Sequence, residues 1–217
     1  MNTISNFFEA IKNGDQKAVE RMLNQDSSLV NARNENNVSA VLIATYYSEP
    51  AIANLLVQHG VKLDIFEASA LGKKEQVQAL LEEDSDLVNA YAPDGFQPLG
   101  LACFFGHASV VDLLLSRGAS VNSPSNNSSR VQPLHSAIAA RHYEIAKSLL
   151  AHKADVNAVQ QDGFSPLHEA VQNNDLEMIK LLLIYKADLN MKKADGKTPL
   201  DIALENGYVV AAQLLQK

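Results

Sequence analysis

The chain has a single cysteine, no tryptophan and no excess of basic charge. Cys103 alone cannot build an internal disulfide framework, so the fold must hold without covalent staples. It lies beside Ala102 in an apolar stretch and reads as a small core residue. Lysine and arginine number 18 against 25 aspartates and glutamates, a net charge of −7. The two signs are mixed along the chain. A general binder of nucleic acid or of an anionic membrane would need a basic stripe. Lys192, Lys193 and Lys197 are too few for that and read as a solvated hairpin tip. No apolar run approaches the ~20 residues of a membrane span. Met1 to Ser5 carry no basic stretch leading into an apolar core, so no signal peptide is visible. The cytoplasm is the default location, with the periplasm or the exterior as the alternative for a chain whose leader has been removed.

Catalytic signatures are also missing. Of six histidines, no two have metal-ligand spacing on one helix. His168-Glu169 begins like a zinc-protease helix, but Gln172 stands where the second histidine is required. Gly95 and Gly100 do not form a phosphate-binding G-x-G-x-x-G turn. No G-x-S-x-G elbow occurs. The sequon-like Asn126-Asn127-Ser128 is simply loop. No cofactor, metal or enzymatic activity is expected.

What the chain does contain is a period. An alanine after a Pro-Leu-His-like stretch recurs at Ala10, Ala44, Ala68, Ala102, Ala137, Ala170 and Ala203, at intervals of 34, 24, 34, 35, 33 and 33. Nine residues beyond each comes Val19, Ala53, Val77, Val111, Ala146, Ile179 or Ala212. Twelve beyond comes Met22, Leu56, Leu80, Leu114, Leu149, Leu182 or Leu215. All are apolar, at a spacing that shares one helical face. Such a face has no core of its own and must be buried on the next unit.

Each unit reads as turn, helix, turn, helix. Asp-Gly at 94–95, 162–163 and 195–196 supplies the positive φ of a hairpin tip. Ser165 and Thr198 fit helix N-caps, each followed by proline at the first helical position. Helix one ends at Gly14, Gly72, Gly106 or Gly207. Helix two is expected to lead into a strand fragment: Val121-Asn122, Val156-Asn157 or Leu189-Asn190. Gln97 and Gln132 replace the capping hydroxyl, which predicts caps weaker by about 1 kcal/mol each. Gly100 replaces the histidine of the motif. Asp64 and Glu67 have capping-box spacing.

Asp162-Gly163-Phe164-Ser165-Pro166-Leu167-His168-Glu169-Ala170, Asp195-Gly196-Lys197-Thr198-Pro199-Leu200 and Ala154-Asp155-Val156-Asn157-Ala158 together resemble the ankyrin repeat family. The resemblance covers the whole chain, 1–217, as one domain. It implies an all-α, right-handed solenoid of seven helix-turn-helix repeats with short β-hairpins. The hairpin of repeat three is missing, because Val61-Lys62-Leu63-Asp64 runs straight into helix one. His135 and His168 would be structural, bonded to neighbouring backbone. Gln213, Gln216 and Lys217 suit an exposed, capping end. The Leu-Val-Asn ends at 29–31 and 87–89 look like those of small stand-alone bacterial members.

The family's function is protein binding in a concave groove, at positions that include the two residues before the glycine ending helix one. Those positions here include Tyr46-Tyr47, Ala70-Leu71 and Phe104-Phe105. Tyr91, Phe96 and Phe164 fall on the hairpins of the same side. The expectation is a monomeric, non-enzymatic module whose protein partner contacts Tyr46, Tyr47, Leu71, Tyr91, Phe96, Phe104, Phe105 and Phe164. Tyr47 and Phe105, second in their pairs, can instead pack against the next repeat. The alternative function is a dedicated inhibitor or immunity protein that blocks one enzyme. The small polar loop 122–132 is expected to be mobile and to flank the groove as a lip.

Overall fold

The computed structural model describes residues 3–216. Its helices run in seven antiparallel pairs. They are α1 (Thr3–Lys12) with α2 (Gln16–Gln25), α3 (Ala40–Tyr46) with α4 (Pro50–Gln58), and α5 (Ile65–Ala70) with α6 (Lys74–Glu83). Then come α7 (Pro98–Phe104) with α8 (Ala108–Ser116), and α9 (Pro133–Ala139) with α10 (Tyr143–Ala151). The last are α11 (Pro166–Gln172) with α12 (Leu176–Ile184), and α13 (Pro199–Glu205) with α14 (Val209–Leu215). Each first helix packs on the next first helix, α1 on α3 through to α11 on α13, and the second helices stack behind them.

The framework positions explain the stacking. Ala44, Ala68, Ala102, Ala137, Ala170 and Ala203 are inaccessible to solvent, which lets adjacent first helices approach closely. Leu56, Leu114, Leu149 and Leu182 are equally buried, each contributing about 1.5–3 kcal/mol. Met22 and Leu80 are only half-buried, and Leu23 and Leu81 take the core place instead. In those two repeats the second helix runs into a 3₁₀ turn, Ser27–Asn31 or Ser85–Asn89, capped by Asp26 or Asp84.

Helix one of every repeat ends on a left-handed residue: Gly14, Ser48, Gly72, Gly106, Arg141, Asn174 and Gly207. Glycine is required at Gly72 and Gly106 for a second reason. An added Cβ would lie 2.5 Å from the His107 ring and 2.6 Å from the His142 ring. Those rings reach back one repeat and donate through Nε2 to the carbonyls of Ala70 and Phe104.

The Val-Asn segments are turns rather than the expected strands, and among the described residues the one β-bridge joins Arg33 to Ser39. The asparagine side chains do the linking instead. Asn89, Asn122 and Asn157 accept from the backbone N–H of Ser120, Asp155 and Asp188, one repeat on. In front, backbone bonds join successive hairpin tips: Asn126 to Gly95, Gln161 to Ser129 and Ala194 to Asp162.

That front row stops at repeat four. Where other repeats have a hairpin, residues 59–64 pass directly from α4 to α5. Asp64 and Glu67 close the expected capping box there. Arg33 of the preceding hairpin reaches across to Asp64 at 3.3 Å. At the far end the expected polar cap is incomplete. Leu204, Val209 and Val210 are exposed, because Leu204 occupies the position at which Ile138 and Val171 are covered by the next repeat.

Candidate binding cleft

The missing hairpin leaves a cleft of about 500 Å³ on the inner face. Its walls are the hairpin of repeat two (Asn34, Asn36, Val38), that of repeat four (Asp94, Phe96) and Val131 and Gln160 beyond. Its floor comes from the first helices: Ile43, Tyr46, Gly100, Leu101, Phe104, His135, Ser136, Ala139 and Glu169. The lining includes two carboxylates and neither lysine nor arginine.

Three of the eight sequence-predicted contact residues meet there: Tyr46, Phe96 and Phe104. Phe104 is 43% exposed although Cys103 before it is fully buried. Tyr46 spans the notch, its hydroxyl donating to Asp94 Oδ2 at 2.6 Å. Burial, reinforced by that carboxylate, holds the phenol in its protonated form, far above the usual tyrosine range. Phe105 turns away from the cleft. It packs on Tyr46 at 5.8 Å and edge-on against Phe104 at 5.1 Å. With Leu71 it lines a second hollow beside Pro50 and His107.

The remaining three stand apart. Tyr47 is exposed without lining the cleft. Tyr91 places its hydroxyl at the Ser123 side chain and the Pro124 carbonyl. Phe164 covers the His168 ring at 5.8 Å and carries the Lys193 ammonium over its face. The 122–132 loop flanks the cleft through Val131, but its interior is tightly bonded, against the expectation of a loose lip. Ser125 is buried and its hydroxyl accepts from Val131 N–H, while Asn127 donates to the Asp94 carbonyl and accepts from Ser129 N–H.

Three of the lining residues outside the predicted set bear most on the chemistry of the cleft. His135 was expected to bond to backbone, as His168 does. His168 accepts at Nδ1 from the Ser165 hydroxyl and donates from Nε2 to the Lys197 carbonyl. His135 is 1% exposed, and its ring faces the backbone of Phe164 and Ala158 without the close hydrogen-bond geometry that His168 has. Gln132 is the reason on one side, since it puts no hydroxyl at the cap and makes no cap bond. Burial lowers the His135 pKa to about 4, against a weaker upward pull from the backbone of Phe164 and Ala158. The ring is therefore neutral at pH 7.

Gly100 is the second. It is helical, needs no positive φ, and an added Cβ would meet nothing within 4 Å. Neither backbone nor packing demands glycine there, and the missing side chain enlarges the cleft. Glu169 is the third. It is half-buried, makes no hydrogen bond or ion pair, and burial holds its carboxyl above the usual range. The residue preceding the framework alanine gives the signal that could have found it. In the repeats that line the cleft it reads Ile43, Leu101, Ser136, Glu169, while Glu67 of the intervening repeat three is taken up by the capping box with Asp64.

Among the described residues no three His, Cys, Asp or Glu side chains converge to hold a metal ion. No helix among them is long and apolar enough to cross a membrane. The fold and its repeating motif define the class, and comparison with known proteins agrees. Ankyrin repeats (3 copies) match residues 65–160, and ankyrin repeats (many copies) match residues 149–203. The chain belongs to the ankyrin repeat family, whose members are in general protein-interaction modules. It is similar to an ankyrin repeat protein of Acanthamoeba polyphaga mimivirus, 26% identical over 177 residues, 74% of this chain and 23% of that protein. It is also similar to the human BCL-6 corepressor-like protein 1, 32% identical over 96 residues, 44% of this chain and 5% of that protein. The chain thus spans less than a quarter of either relative.

Proposed function

We propose that the chain acts as one non-enzymatic, monomeric binding array, with a protein partner held in the inner groove of repeats two to four. The observation that carries this is the cleft itself. Tyr46, Phe96 and Phe104 converge on a concave surface that the fold does not need to leave open. Exposed apolar surface rimmed by polar groups gains stability only when something covers it. Aromatic side chains in such positions are the usual anchors of binding energy. Leu71 and Phe105 extend the surface towards the second hollow. Tyr47, Tyr91 and Phe164 lie on its margins.

The test separates binding from folding. Tyr46→Ala and Phe104→Ala together are expected to weaken binding to a partner captured by the wild-type protein by about 2 kcal/mol or more. Phe104→Ala alone should change stability by less than about 1 kcal/mol, as for surface sites. Leu149→Ala, in the core, should cost about 2–5 kcal/mol. Undiminished capture by the double variant would refute the groove as the site. A single stoichiometric partner that loses enzymatic activity in the complex would make the protein a dedicated inhibitor.

A further inference from the structure

The cleft also specifies the chemistry of its occupant. Towards repeats two to four its floor is apolar, formed by Ile43, Tyr46, Leu101 and Phe104 with Phe96 beside them, under a polar rim of Asn34, Asn36 and Asp94. Gly100 removes the side chain that repeats five and six carry at the same position, so the space beside Leu101 is open. Towards repeats five and six the lining turns polar. His135 contributes a buried, neutral ring beside Ser136. Beyond it stands Glu169, half-buried and unpaired, with no cation in the lining to neutralise it.

A partner that covered Glu169 without supplying a positive charge would strand a carboxylate away from water, at substantial cost. An acidic partner would add repulsion. A basic partner is favoured locally by Glu169 and at long range by the net charge of −7. Asp94 is already engaged by Tyr46 and by the Phe96 N–H, which leaves Glu169 as the free anion.

We infer that the cleft receives a basic segment of the partner protein, with a bulky apolar side chain lodged beside Gly100 and Phe104 and a lysine or arginine reaching Glu169. This rests on the groove being the binding site. It adds the polarity and direction of the bound segment.

A displayed library of random dodecapeptides, selected on the full-length chain, tests it. Enriched peptides should pair an apolar residue with Lys or Arg. A synthetic peptide from that pool should lose about tenfold in affinity on Glu169→Gln, and the loss should disappear when its basic residue is replaced by leucine. Gly100→Leu, checked by thermal melting to be folded, should abolish the apolar preference. Enrichment of neutral or acidic peptides that still depends on Tyr46 and Phe104, or a change of less than twofold on Glu169→Gln, overturns this inference and leaves the groove assignment standing. Recovery of the same peptides by the Tyr46→Ala/Phe104→Ala variant overturns both.

Discussion

Repeats five and six carry the same Pro-Leu-His tripeptide at 133–135 and 166–168, in the same place on the same helix, and the two histidines live differently. His168 is held on both sides, by the Ser165 hydroxyl and the Lys197 carbonyl. His135 is as deeply buried but has no hydroxyl partner, and its ring meets the backbone of Phe164 and Ala158 without a close hydrogen bond. Ser165 closes a capping box, whereas Gln132 caps nothing. A repeat motif therefore does not fix the role of its residues. The neighbour three positions upstream decides whether the imidazole stabilises the fold or is left open at the edge of a cleft.

The sharpest way to break that comparison is by titration. Burial lowers the His135 pKa from 6.5 to about 4. Between those values the unfolded chain binds a proton that the folded chain does not. Stability should therefore fall as pH drops from 6.5 towards 4, by about 3 kcal/mol at most from this group. His168, also lowered by burial, adds to the same slope. Glu67 and Glu169, raised by burial, oppose it at the acid end. Chemical denaturation of the wild type and of His135→Leu across this range isolates the contribution. Parallel curves would mean that the ring is not held neutral.

A reciprocal exchange of caps comes next in size. Ser165→Ala should destabilise by about 1–2 kcal/mol, because a cap is lost and His168 Nδ1 keeps only the Ser165 backbone N–H as donor. Gln132→Ser should do the opposite in repeat five, adding about 1 kcal/mol by capping α9 and giving His135 a partner. If both exchanges lower stability, the two sites are not equivalent and the comparison fails. The smallest effect is expected at Gly100, where alanine should stabilise by up to about 1 kcal/mol, since a helical glycine there serves no backbone need. A melting temperature lowered by Gly100→Ala would place packed atoms where the structure has space.

Much of the array could be read from the sequence, because its determinants are local and repeated. The framework alanines, the four glycines after helix one and the cap at Asp64 each announce themselves within a few residues, whereas left-handed Ser48, Arg141 and Asn174 carry no such mark. The strand fragments were misread for a reason that is not local. Asn89, Asn122 and Asn157 replace a backbone ladder by side-chain bonds to the next repeat, and no window of one repeat contains both partners. The cleft was half legible. Tyr46 and Phe104 stand at contact positions, and the absent hairpin is visible between 58 and 65. Glu169 and His135 were hidden because each follows the pattern of its own repeat. Only the comparison of equivalent positions along the stack reveals that the lining changes from apolar to acidic. The open apolar end at Leu204 was hidden in the same way, by the polar residues that follow it.

The hairpin tips of repeats four to seven are tied to one another by main-chain bonds, whereas repeat two reaches repeat four across the gap by a side-chain bond, Tyr46 to Asp94, and meets the shortened repeat three through Arg33 and Asp64. Bending stiffness along the front edge is therefore uneven, with a crease at one point of an otherwise braced strip. The crease runs through the mouth of the cleft, so the span of that mouth is governed by a single side-chain clasp rather than by the spine of the molecule.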